Sequence, residues 1–153
     1  MDLIKIFNRL EKLPKGKALF SKAVCLKAPY FATISPTFET LQHGLVKVNM
    51  PKRRSILNHL NTVHAIAMCN LAEIAGGIMT DVSVDKNARW IPSGMTVKYL
   101  KKATSDLYAI SDGRQLDWTT RGELIVPVAI FNTDNTQVFS AEITMKISDK
   151  IKG

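Results

Sequence analysis

Glu73 closes the stretch HAIAMCNLAE and is the only formally charged residue among the 26 from Ser55 to Thr80. A carboxylate in so apolar a run is costly to hold away from water unless it is paired, hydrogen-bonded or neutralised. The same side chain can attack a carbonyl or activate a water as general base, and exclusion of water strengthens it in either role. His64 stands nine residues earlier, preceded by Asn58, His59 and Asn61. Nine residues of helix make two and a half turns, so His64 and Glu73 point to opposite sides and lie about 13 Å apart. They cannot form a catalytic pair within one chain.

The elements that must position these groups follow from the pattern around them. Leu3, Ile6, Phe7, Leu10 and Leu13 recur at helical spacing, Pro14 and Gly16 interrupt, and 18–27 resumes a helical pattern, which predicts an N-terminal helical segment over 1–28. The basic residues Lys5, Arg9 and Lys12 would suit a membrane surface, but docking on its own domain is the commoner fate of such a stripe. From Thr37 the pattern becomes strand-like: TFETLQ and LVKVNM are joined through His43 and Gly44 as a hairpin. The apolar helix comes next, with Thr62 or Asn61 as its cap and Gly76 and Gly77 as its end, a length of about 14 to 17 residues. TDVSV, MTVKYLKKA, DLYAIS, ELIVPVAIF and QVFSAEITMKI then read as strands. The fourth of these is apolar on both faces, so it is expected at the sheet centre, with Pro127 at a bulge or an unpaired N–H. Strands before and after one long helix, without βα alternation, predict an α+β fold in which an antiparallel sheet packs on that helix.

The order hairpin, buried helix, antiparallel strands resembles the hotdog fold, a curved sheet around one central helix. The likeness is carried by PKRRSILNHLNTVHAIAMCNLAEIAGG and RWIPSGMTVKYLKKA. Acyl-CoA thioesterases of the phenylacetate-pathway and 4-hydroxybenzoyl-CoA types carry a His-Gly-Gly at the helix start and an Asp or Glu nine residues after that His. Here His64 and Glu73 keep the spacing, and Leu71-Ala72 precede the acid as in that family. The resemblance spans 37–148 within a single domain. It implies a homodimer, or a tetramer built from it, whose antiparallel helices bring Glu73 of one chain to the helix start of the other. It further implies that the Ala65 N–H binds the oxyanion of an attacked thioester, that Asn58 or His64 positions the carbonyl, and that Glu73 acts as nucleophile or base. Asn61, Ile66, Gly77, Arg53, Arg54, Lys98 and Lys101 become substrate-binding candidates, the basic ones for the phosphates of coenzyme A. Coenzyme A enters as part of the substrate; no separate cofactor or metal is expected. The family's Gly-Gly is Ala65-Ile66 here, which keeps an N–H and adds bulk.

Other chemistries fit less well. His59 and Glu73 have the spacing of hotdog dehydratases, but no Pro-Gly turn separates them. His59, His64, Cys69 and Glu73 fall at steps that scatter them around a helix, unlike helical zinc motifs. Cys25 and Cys69 suit packing better than a disulfide framework or nucleophilic catalysis. The net charge of +8 points to an anionic partner. A nucleic-acid reading lacks interleaved exposed aromatics and ranks below acyl-CoA. No uninterrupted apolar run reaches the length of a membrane helix, no signal-peptide pattern stands at the start, and the expected compartment is the cytoplasm.

Overall fold

The computed structural model describes residues 2–151. Helices α1 (Leu3–Leu10) and α2 (Gly16–Lys27) lead into a 3-10 turn, Pro29–Ile34. Strands β1 (Thr37–Gln42) and β2 (Leu45–Met50) precede the central helix α3 (Ala65–Ser83), and β3 (Ala88–Tyr99), β4 (Leu107–Asp112), β5 (Gly122–Asn132) and β6 (Gln137–Asp149) follow it. The strands form one antiparallel sheet in the order β1-β2-β4-β5-β6-β3. Helix α3 packs across this sheet and touches all six strands.

The alternation in β6 explains the core. Phe139, Ala141, Ile143, Met145 and Ile147 are buried toward α3, while Ser140, Glu142, Thr144 and Lys146 face away. The β1–β2 hairpin has the expected bounds, and Gly44 in its turn takes φ +72, a conformation open to glycine without steric cost. Strand β5 is central, as its sequence predicts. Pro127 causes no bulge there. Its carbonyl accepts from Ser111 Oγ at 2.8 Å on the side where the β4 ladder has already ended, so the missing N–H costs no ladder bond.

Three expectations are corrected. Helix α3 has 19 residues and runs through Gly76 and Gly77 to Ser83, so the first part of TDVSV is helix. Both glycines serve close packing: a Cβ at Gly76 would stand 2.8 Å from Ile143 Cδ1, and one at Gly77 would stand 3.2 Å from the Trp90 ring. The cap is neither Thr62 nor Asn61 but His64, and Asn61 instead takes a left-handed turn at φ 57. Finally, α3 does reach the length and apolarity of a membrane span, with mean hydropathy 1.3. In this fold its apolar side is covered by the sheet. Helix α1 likewise docks on its own chain, through an edge-to-face series in which Phe7, Phe20 and Phe38 have centroids 5.2 and 5.4 Å apart.

Candidate active site at the start of the central helix

The first four N–H groups of an α-helix have no partner within it. In α3, Ile66 N–H donates to His64 Nδ1 at 3.1 Å, and Ala67 and Met68 donate to the His64 carbonyl at 3.0 and 3.3 Å. Ala65 N–H alone is left with no acceptor among the described residues. His64 is held for this task by its own N–H, which donates to the Ile56 carbonyl at 2.8 Å. Because Nδ1 accepts, the neutral tautomer carries its hydrogen on Nε2, and the side chain as a whole is exposed. The site therefore offers one free backbone donor at the positive end of a helix dipole, with an imidazole N–H beside it.

Glu73 lies eight residues along, about 12 Å further down the axis. Although its helix is apolar, Glu73 is exposed, and it has no hydrogen bond or ion pair among the described residues. It shares its stripe with Ile66, 54% exposed, and with half-buried Cys69. Strand β3 borders this stripe. Tyr99 Oη meets Cys69 Sγ at 3.6 Å, and that contact, followed by burial, pushes the phenol above its usual range. Strand β3 is an edge of the sheet and carries exposed Ile91, Met95 and Tyr99, with Leu100 just beyond it.

The remaining candidates divide. Asn58 is engaged in its own loop: Oδ1 accepts from the N–H groups of Leu60 and Thr62, and Nδ2 donates to Thr62 Oγ1. Arg53 Nη2 donates to the Thr33 carbonyl at 2.6 Å. Arg54 is exposed near the helix start, and Lys101 belongs to the segment whose Ala103 carbonyl accepts from Val63 N–H at 2.8 Å. Lys98 lies on the opposite face of the sheet, because its neighbour Tyr99 points toward α3. Gly77 is buried under Trp90, whose Nε1 donates to Asp81 at 3.1 Å, so the surface the glycine exposes is taken by the indole rather than left to a ligand.

Asn70 and Thr33 escape the sequence reading as site residues. Asn70 is buried at 6% exposure and, rather than pairing with Glu73, its Nδ2 donates to Thr33 Oγ1 at 3.1 Å. A lone amide three residues before a lone acid was a visible signal; Thr33 gave none, since nothing local links it to α3.

A six-stranded antiparallel sheet about one central helix is the hotdog fold. The chain belongs to the family Domain of unknown function (DUF4442), whose model matches residues 16–147. No curated protein matches it. Among solved structures it is similar to the structural-genomics protein APC5556, with 48% identity over 97% of this chain and 99% of that one, at a TM-score of 0.87. It is also similar to a protein of unknown function from Pseudomonas aeruginosa described as a probable thioesterase, with 20% identity over 90% and 97% of the two chains and a TM-score of 0.76. A thioesterase from Haemophilus influenzae has 12% identity over 85% and 89%, with a TM-score of 0.75.

Proposed function

We propose that the protein is a homodimeric hydrolase of acyl-CoA or acyl-carrier thioesters, acting on a cytoplasmic substrate pool. The observation that carries the reading is that α3 holds an unpaired acid and an unpaired amide about 12 Å apart along one axis, too far to serve one substrate within a chain. A two-fold axis crossing antiparallel copies of α3 near Cys69 sets Glu73 opposite the partner's Ala65, and by symmetry creates two such sites. The exposed apolar edge β3 supports this pairing, since an unpaired strand edge with large apolar side chains is a template for another chain. The thioesterase descriptions of the neighbours above favour the same chemistry.

In this reading the thioester carbonyl oxygen accepts from Ala65 N–H, with His64 Nε2–H beside it. The partner's Glu73 takes a proton from water as the water oxygen bonds to the carbonyl carbon, and the charge that develops on the carbonyl oxygen collects at the helix start. Collapse of the adduct breaks the C–S bond, and the thiolate leaves with a proton, giving acid and thiol. Direct attack by Glu73 on the carbonyl, followed by hydrolysis of the anhydride, uses the same groups. Arg54 and Lys101 are exposed cations, and in this reading they bind the phosphates of coenzyme A.

One observation favours a second reading. Ile66 stands half-exposed beside the free N–H, where bulk would hinder a thioester, and a non-catalytic acyl-binding protein would tolerate that. Purified protein with a panel of acyl-CoAs separates the two: the hydrolase reading expects thiol release that falls at least about 100-fold in Glu73→Gln and Glu73→Ala. Release unchanged by both substitutions would sink the mechanism. Thermal stabilisation by acyl-CoA without turnover would favour the binding protein.

A further inference from the structure

Helix α2 is apolar on both of its sides, which in a folded chain ordinarily means cover on both sides. Its inward side has that cover: Phe20 is buried between Phe7 and Phe38, and Val24 packs against the same core. Leu19, Ala23 and Leu26 recur at helical spacing on the opposite side and are exposed, Leu26 at 85%. Leu13 just before the helix and Tyr30 just after it are also exposed. The charges around this stripe have one sign. Lys22 and Lys27 flank it and Lys12 and Lys15 stand at its start, all exposed and none in an ion pair among the described residues. No acidic residue occurs between Lys12 and Phe38, and the one inward lysine, Lys17, is met by Glu39 at 2.8 Å.

We propose that the outward face of α2 docks on the surface of an anionic lipid bilayer. Leu19 and Leu26, about 10 Å apart along the axis, enter the headgroup layer, and the lysines extend beside them to the lipid phosphates while their stems stay in apolar surroundings. Charge complementarity selects this occupant. A second copy seated on the same face would set lysine against lysine with no acid to answer them, whereas an anionic lipid surface answers every one. Shape agrees, because Leu26 stands out from the helix as a ridge, and a fluid layer closes around a ridge without needing a matching groove. Helix α2 packs against β1, the sheet edge opposite the β3 edge assigned to the dimer, so the inference does not depend on the hydrolase reading.

The test is co-sedimentation of the full chain with vesicles of phosphatidylcholine alone and of phosphatidylcholine with about 30% phosphatidylglycerol. Binding to the anionic vesicles is expected to be at least about tenfold stronger. Leu19→Ser with Leu26→Ser keeps every charge and should lose about tenfold or more of that binding, as the apolar anchors no longer leave water. Lys22→Gln with Lys27→Gln should lose about tenfold as well, while Lys98→Gln with Lys146→Gln, the same charge removed from the sheet, should stay within about threefold of wild type. A Leu26→Trp protein should show a blue-shifted emission on anionic vesicles, with wild type as the blank for Trp90 and Trp118. No binding to the anionic vesicles overturns the proposal, and so does binding that the serine pair leaves unchanged, because charge alone would then hold the protein. Equal losses in the two lysine pairs, or an unshifted Leu26→Trp emission, overturn it in the same way. A smaller assembly in the serine pair than in wild type, seen by light scattering without lipid, assigns the face to a second copy and overturns it too.

Discussion

Ala65→Pro deletes the one unbonded N–H at the start of α3 and leaves the rest of the helix unchanged. Proline is well tolerated at the first helical position, where no backbone bond is lost. The residue before a proline must be extended, and His64 already is, at φ −62 and ψ 138. Fixing φ at Ala65 also restricts the unfolded chain, so stability is expected to stay level or rise by up to about 1 kcal/mol. The effect on catalysis is different in size. Removing a single oxyanion donor typically costs about 100- to 1000-fold in kcat, about 3 to 4 kcal/mol of transition-state stabilisation. The assay is steady-state thiol release together with a thermal melt of the same preparation, with Ala65→Gly, which keeps the N–H, as the control. The expected pattern is an unshifted or raised Tm, kcat lowered about 100-fold or more in Ala65→Pro, and activity within a few-fold of wild type in Ala65→Gly. Turnover by a folded Ala65→Pro protein within about threefold of wild type would refute the role of this amide.

Two further predictions concern the frame. A Cβ at Gly16 would stand 1.6 Å from the Leu10 carbonyl oxygen, a backbone atom, so Gly16→Ala must shift α1 away from α2; a melt should show a loss of about 1 to 3 kcal/mol, and an unchanged Tm would contradict that packing. Arg121 joins Asp85 and Asp149, and its hydrogen bond, then that of the Asn87 N–H, holds the Asp85 carboxyl below its usual range. A group lowered in the folded state contributes stability above its unfolded pKa, about 4, and loses it as pH falls through the folded value. The Tm gap between wild type and Arg121→Met should therefore be full at neutral pH and close below about pH 4; a gap constant from pH 7 to pH 3 would rule out the linkage.

Much of the scaffold was legible because its signals are local. The β1–β2 hairpin follows from two runs of alternating residues around His43-Gly44, and β6 from an unbroken alternation of 9 residues, Phe139 to Ile147. The end of α3 was not legible. Gly76 and Gly77 look like a stop, but in the fold they let the helix approach Ile143 and Trp90, and Thr80 Oγ1 caps the Gly76 carbonyl at 2.8 Å within a continuing helix. The β-branched run at Thr80, Val82 and Val84 imitated a strand for the same reason: tertiary packing overrode local propensity. At the site, the spacing of His64 and Glu73 was readable and their exposure was not, because the composition of α3 reports what its buried side requires. The Thr33–Asn70 hydrogen bond joins residues 37 apart in sequence, a contact that only the fold creates.

The central claim is that each site is built from two chains, and mixing two inactive variants tests it most directly. Glu73→Gln lacks the acid but keeps the amide, and Ala65→Pro lacks the amide but keeps the acid. In an equimolar mixture dissociated and reassembled at random, half of the dimers are mixed, and each mixed dimer regains one of its two sites, so thiol release should recover to about one quarter of wild type. A mixture that stays as inactive as its parents, while mixed dimers are seen to form, would contradict a site shared between chains.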